Sequence, residues 1–207
     1  MIVPNVLLRL HLASRSPRRR ELLKLIVVPF DILPFRNSPR TDQALDETPL
    51  AGEEPESYVQ RVARQKAEFA WQIVESRRLP THAVLAADTT LEFDGQLIGK
   101  PADAQEAEKI LARLSGQTHR VLTAVALTTR GKLEMSLSVS EVRFRELEPD
   151  EIKRYVATGE PMDKAGAYGI QGKAGIFVDH LAGSYTGVMG LPLCETASLL
   201  KRAGFPL

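Results

Sequence analysis

The dipeptide Asp94-Gly95, set between Leu91-Glu92-Phe93 and Gln96-Leu97-Ile98, constrains the fold more than any other short stretch of this chain. Asp-Gly flanked by strand-like residues favours a type I′ turn, which joins two antiparallel strands. Gly131-Lys132, between apolar runs centred on 121–127 and 138–144, is a second hairpin candidate. Elsewhere short apolar runs alternate with helical patterns. Helices interleaved with strands and hairpins predict an α/β domain with a mixed β-sheet.

The first strand is expected within 7–13, running straight into Ser14-Arg15-Ser16-Pro17. Ser16 fits an N-cap and Pro17 a first helical position, with Leu22, Leu23 and Ile26 as the apolar face. Residues 34–55 are rich in Pro, Asp, Glu and Thr and read as a long loop, a type of segment that often carries function. A helix is predicted over 56–76 and a strand over 82–87 that ends in Asp88-Thr89. Further helices are expected at 104–114, stopped by Gly116, from Pro149 to 157, and at 193–201. A glycine-rich loop and a strand at 176–181 lie between the last two.

Composition limits what such a domain does. The 207 residues carry 27 basic and 26 acidic side chains, a net charge of +1, and 43% are hydrophobic. A core of ordinary size is expected, in one large domain over 1–207 or two small lobes sharing a cleft. No basic surplus points to a nucleic-acid partner, so an anionic ligand has to be gripped by a few placed cations. Cys194 is the only cysteine, which excludes an intrachain disulfide. No apolar run is long enough for a transmembrane helix, and the N-terminus lacks a signal-peptide pattern, so no membrane partner and a cytoplasmic location are expected.

Four stretches carry chemistry. Arg18, Arg19 and Arg20 sit in the first turn of a helix, where cations oppose the helix dipole. They make sense there if an anion binds, with backbone N–H groups, Ser14 and the guanidinium forks converging on phosphate oxygens. The alternative is a solvated basic turn, and Arg20 is the arginine best explained that way. Asp88, at the expected carboxyl end of its strand, stands where α/β sheets gather ligands; there it could hold a metal or activate water, with Thr89 beside it. Lys66 lies beside the apolar face of its helix and needs an anionic partner or must snorkel to solvent. Lys100 is a similar cation after the first hairpin. In the run 160–172, Gly166, Gly169 and Gly172 let backbone approach a ligand. Asp163-Lys164 adjoins them, and Gln171 offers the donor and acceptor that suit a uracil or thymine edge. Asp42, Asp46 and Glu47 are oxygen donors for a hard divalent ion. The histidines, at 11, 82, 119 and 180, show no metal-ligand spacing, and no nucleophile elbow, Walker loop or dinucleotide fingerprint is present.

Taken in order, several blocks resemble the Maf family of nucleotide pyrophosphatases. They are Ala13-Ser14-Arg15-Ser16-Pro17-Arg18-Arg19, Asp46-Glu47-Thr48-Pro49, Ala63-Arg64-Gln65-Lys66-Ala67, Ala86-Ala87-Asp88-Thr89 and Gly99-Lys100-Pro101. Leu114-Ser115-Gly116-Gln117-Thr118-His119, the run from Asp163 to Gly172, Gly183-Ser184-Tyr185 and Gly190-Leu191-Pro192-Leu193 complete the set. Residues 1–9 look like a short private extension, and Thr90 stands where the family usually has an apolar residue.

The resemblance implies an inosine triphosphate pyrophosphatase-like fold, a mixed sheet and helices in two lobes around a cleft. It implies hydrolysis of dTTP and UTP to monophosphate and pyrophosphate, with modified pyrimidine nucleotides as alternative substrates. Asp88 matches the family's proton acceptor. Arg18, Thr89 and Gln171 match positions linked to substrate choice in the dTTP/UTP branch, whereas a branch acting on 7-methyl-GTP lacks the Gly-Ile-Gln-Gly form. The expected site adds Ser14, Arg19, Lys66 and Lys100 as phosphate ligands. A divalent cation, Mg²⁺ or Mn²⁺, is expected on Glu47 and Asp88. A homodimer is a family-level expectation. The rival reading is a nucleotide-binding regulator of cell division or septum formation with little catalysis.

Overall fold

A computed structural model describes residues 8–26, 28–33, 45–130 and 132–207. Asp42 lies outside them, as do Gly131 and most of the N-terminal extension. Among the described residues the sheet has seven strands: β1 (Leu10–Leu12), β2 (Phe30–Ile32), β3 (Ala83–Phe93), β4 (Gln96–Ile98), β5 (Thr118–Thr129), β6 (Lys132–Phe144) and β7 (Val178–Ala182). Their order is β2-β1-β3-β5-β6-β7, with β4 also paired to β3. β1 runs parallel to both β2 and β3, and the other pairings are antiparallel. The sheet is mixed, as expected. Asp94 and Gly95 have φ of 54° and 72°, the positive pair that a type I′ turn requires, and Phe93 faces Gln96 across it. At the second hairpin Thr129 pairs with Lys132, so Lys132 already belongs to β6.

The helices are α1 (Pro17–Leu25), α2 (Pro55–Ser76), α3 (Ala104–Leu114), α4 (Pro149–Val156), the single turn α5 (Tyr185–Val188) and α6 (Leu193–Arg202). Ser16 caps α1 through its side chain, which accepts the Arg19 N–H, with Pro17 in the first turn. The short β2 and α5 had no counterpart in the sequence expectation. None of the described helices is long and apolar enough to cross a membrane.

Asp88 does not end its strand: β3 continues through it for 11 residues, because β5 pairs with every position from Val84 to Glu92. What ends nearby is β1. Its parallel pairing stops at Leu12↔Leu85, and β4 begins to pair only at Leu91. Between those points one side of β3 has no strand neighbour among the described residues, and there the sheet opens beyond the carboxyl end of β1.

Side chains alternate across a strand, and here the alternation sorts the packing. Leu85 and Ala87 join Val125 and Leu127 in a core with α1 and α6, including Leu22, Leu23 and Leu199. Val84 and Ala86 join Leu122, Ala124 and Ala126 against α2, whose Ala63, Ala67 and Ala70 form a close-fitting face. A further core beyond Leu91 collects α3, α4, Phe144 and Tyr168.

Candidate active site

The alternation along β3 carries on into polar residues. Asp88 falls on the α2 side and Thr89 on the α1 side, so two consecutive side chains meet cations from two different helices. Lys66 Nζ on α2 donates to Asp88 Oδ1 at 2.7 Å and lies 3.0 Å from Glu47 Oε1. The ammonium therefore has two anionic partners and does not snorkel to bulk water. Asp88 is buried, with Oδ2 making no hydrogen bond among the described residues. Glu47 is half-exposed, and the backbone around it is pinned: Tyr58 Oη donates to Glu47 O at 3.0 Å, and Arg61 Nη2 to Thr48 O at 3.1 Å. Arg61 also pairs with Glu53 at 2.6 Å, which holds the Glu53 carboxyl down to about 2.

On the other face, Arg19 donates from Nε to Gly190 O at 2.7 Å and from Nη2 to Thr89 Oγ1 at 3.0 Å. Burial is the largest influence on its guanidinium and pulls its pKa below the ordinary value, with Asp88 acting in the opposite direction. A desolvated cation of this kind gains from an anion placed next to it. Arg18 reaches across to Asp163 Oδ2 at 3.4 Å, and Asp163 is also paired to Lys164 at 2.6 Å. Ser14 is buried, its Oγ accepting the Ser16 N–H at 3.2 Å.

The far wall is the glycine-rich run, which folds into 3-10 turns at Glu160–Asp163 and Ala165–Ala167 and leads into a further one at Lys173–Phe177. Gly166 has φ of 74°, and a Cβ there would come within 2.3 Å of Leu91 Cδ1, so any other residue would be strained and would have to displace the Leu91 side chain. Its N–H donates to Gly99 O at 3.0 Å, which ties the turns to the segment bearing Lys100. Glu160 organises the end that carries Gln171. Its carboxylate accepts from Tyr155 Oη at 3.0 Å and from Lys173 N at 3.2 Å.

Ser14, Arg18, Arg19, Glu47, Lys66, Asp88, Thr89, Lys100 and Gln171 all line one cleft of about 1210 Å³. Lys100 and Gln171 are exposed to its solvent. Arg20 is not on its walls. Asp46 is not either: its carboxylate accepts the Thr48 N–H at 2.9 Å, a local turn contact. Thr90 is buried beside the site. Thr89 departs from a simple ligand role, since its hydroxyl is engaged by Arg19 and by Thr123 Oγ1 at 2.9 Å. The sequence reading missed Arg15, Tyr58, Phe69, Tyr168 and Met189 on the walls. Tyr58, Val62, Lys66 and Phe69 follow helical spacing, a stripe that could have exposed the first and last of them. His119 stays out of the cleft, its Nε2 bonded to Tyr168 Oη at 2.8 Å.

For a divalent ion the donor set is two hard carboxylates, Glu47 and Asp88, meeting at one ammonium. No group of three or more His, Cys, Asp or Glu suited to a metal occurs among the described residues. Mg²⁺ is commonly held by one or two carboxylates together with substrate phosphates. The pair fits an ion that shares its coordination with a nucleotide, and does not form a cage of its own.

The family model described as Maf-like protein matches residues 9–203. A dTTP/UTP pyrophosphatase of Dechloromonas aromatica (strain RCB) is 64% identical, the match covering 96% of this chain and 98% of that protein. The protein of the same name from Aromatoleum aromaticum is 60% identical over 96% of this chain and 97% of its own length. That from Chromobacterium violaceum is 49% identical, with 96% coverage of both. Among solved structures, the Staphylococcus aureus Ham1 protein aligns with a TM-score of 0.48 and 16% identity, over 94% of this chain and 97% of that one. A family match along nearly the whole sequence, together with full-length relatives at these identities, means that this chain belongs to the family of Maf-like proteins.

Proposed function

We propose that the cleft hydrolyses dTTP and UTP to the monophosphate and pyrophosphate, with water attacking the α-phosphorus. The observation that carries this reading is the gathering of Asp88, Lys66, Arg18, Arg19 and Lys100 on the walls of one cleft that also presents Gln171. Breaking a phosphoanhydride requires little covalent work from the protein. It needs a positioned nucleophile and charge stabilisation on the departing oxygens.

In this mechanism Asp88 takes the proton of the attacking water on Oδ2, while Oδ1 stays with Lys66. Arg18, Arg19, Lys66 and Lys100 offset the negative charge of the triphosphate and of the pyrophosphate that leaves. Ser14 and the N–H groups at the start of α1 add donors to phosphate oxygens. Gln171 reads the mixed donor and acceptor edge of uracil or thymine. Glu47 and Asp88 would hold Mg²⁺ or Mn²⁺, which when bound supplies further charge neutralisation on phosphate.

The test is pyrophosphate release from a panel of dTTP, UTP, CTP, GTP and 7-methyl-GTP, with Mg²⁺, with Mn²⁺ and with chelator. Turnover of dTTP and UTP well above the rest is expected, and Gln171→Ala should flatten that preference. Nucleotide binding without pyrophosphate release would overturn the proposal in favour of a binding regulator. An unchanged preference in Gln171→Ala would remove that residue from base reading.

A further inference from the structure

We propose that Thr123 is a positioning residue for phosphate recognition: through its single hydroxyl it supports both hydrogen bonds that orient Arg19 in the cleft. The inference rests on Arg19 as a phosphate ligand. Thr123 lies on β5 directly opposite Thr89 in the β3–β5 register and is completely buried.

The direction of the contacts follows from proton counting. A threonine hydroxyl has one proton to donate. Thr123 Oγ1 donates its proton to Gly187 O at 2.8 Å. In the 2.9 Å contact with Thr89 Oγ1 it must therefore accept, so Thr89 donates. Thr89 in turn has its acceptor side open to Arg19 Nη2–H at 3.0 Å. One chain thus runs from Arg19 to Thr89, to Thr123 and to the Gly187 carbonyl.

The second bond to Arg19 leads back to the same place. Arg19 Nε donates to Gly190 O, and the Gly190 N–H is itself held by Gly187 O at 2.9 Å. Gly187 O therefore receives both the Thr123 hydroxyl and the turn that carries the other Arg19 anchor. That turn packs close against β6. Gly190 has φ of 111°, and a Cβ on Gly187 would come within 3.0 Å of Ser138 Oγ. Removing the Thr123 hydroxyl leaves Thr89 without an acceptor and Gly187 O with one donor fewer, in a buried network whose members depend on one another. The guanidinium then keeps its charge and loses its fixed direction.

The experiment uses the full chain and two probes, inorganic pyrophosphate and uridine, which carries no phosphate. Binding is measured by calorimetry for the first and by ligand-observed NMR for the second. Thr123→Val keeps the side-chain shape without the hydroxyl, and Thr123→Ser keeps the hydroxyl. Thr123→Val should weaken pyrophosphate binding about tenfold, about 1.4 kcal/mol, and leave uridine binding within about twofold. Thr123→Ser should restore pyrophosphate binding to near the wild-type value. If the valine variant does not fold, Thr123→Cys, of similar size and with a weak donor, takes its place under the same criteria.

Equal losses for both probes would mean a merely structural role and would overturn the proposal, as would unchanged pyrophosphate binding. Arg19→Gln separates the two layers of the inference. If it leaves pyrophosphate binding intact, Arg19 is no phosphate ligand and both layers fall. If it weakens binding while Thr123→Val does not, only the role of Thr123 falls.

Discussion

Gly172→Ala should cost about 2–3 kcal/mol of folding stability, nearly all of it through one neighbour. Gly172 has φ of −100°, so its backbone conformation is open to alanine. The obstacle is space: an added Cβ would lie 2.2 Å from Glu160 Oε1 and 2.6 Å from Glu160 Cδ. The carboxylate must rotate away, which breaks its bonds to Tyr155 Oη and Lys173 N. Hydrogen bonds to a charged group contribute about 1.5–3 kcal/mol each, and water reaching the half-buried carboxylate returns part of the loss. Tyr155 cannot compensate by ionising, because burial, with Glu160 beside it, pushes its pKa upward. The assay is a double-mutant cycle in urea on wild type, Gly172→Ala, Glu160→Ala and the double variant. Most of the Gly172→Ala cost should vanish in the Glu160→Ala background, a coupling of about 2 kcal/mol between contacting residues. Equal costs in the two backgrounds would refute the clash. The same variant should blur discrimination between UTP and CTP, since Gln171 is the preceding residue.

Asp88→Asn, nearly isosteric, should retain the fold by circular dichroism and keep less than about a tenth of the pyrophosphate-release rate, a barrier increase above about 1.4 kcal/mol; a higher residual rate removes Asp88 as proton acceptor. Lys66→Met takes away the ammonium that bridges Glu47 and Asp88, so Mn²⁺ should bind the nucleotide-free protein at least about threefold more tightly by calorimetry. No gain there means that the ammonium and the ion do not compete. His119 is deeply buried, and desolvation lowers it from the ordinary 6.5 to about 4. Between those values the unfolded chain binds the extra proton, so its contribution to stability is present above 6.5 and is lost as pH falls toward 4. Stability should drop by about 2 kcal/mol between pH 7 and pH 5 from this group. His119→Gln, which keeps a partner for Tyr168, should flatten that part of the urea-midpoint profile.

The parts of the fold legible in the sequence were those decided within a few residues. The Ser16-Pro17 helix start, the Asp94-Gly95 turn and the span Ala104–Leu114 follow from capping, turn chemistry and amphipathic spacing, and the structure has them where expected. Distant pairing was not legible. Asp88-Thr89-Thr90 looks like the polar end of a strand, and only the ladder with β5 carries β3 through it. Phe30–Ile32 is too short to announce itself and is held by parallel pairing with β1. The same holds for the site. Its residue types were visible, but the Lys66–Asp88 contact joins a helix to a strand 22 residues away. Thr123 sits in the apolar run Val121-Leu122-Thr123-Ala124-Val125, where nothing local marks its hydroxyl as part of a relay.

The unbroken ladder under Asp88 has a dynamic consequence. Amides in the middle of a long paired strand exchange with solvent only through large-scale opening, whereas loops and short turns open at much lower free energy. The carboxylate at 88 therefore rides on a strand laddered along its whole middle to β5, while Gln171 and Glu47 are carried by segments without long ladders. Any tightening around a nucleotide falls to those segments, and deuterium uptake should slow on ligand addition at 45–54 and 160–177 while the β3 amides that bond to β5 stay protected with or without it.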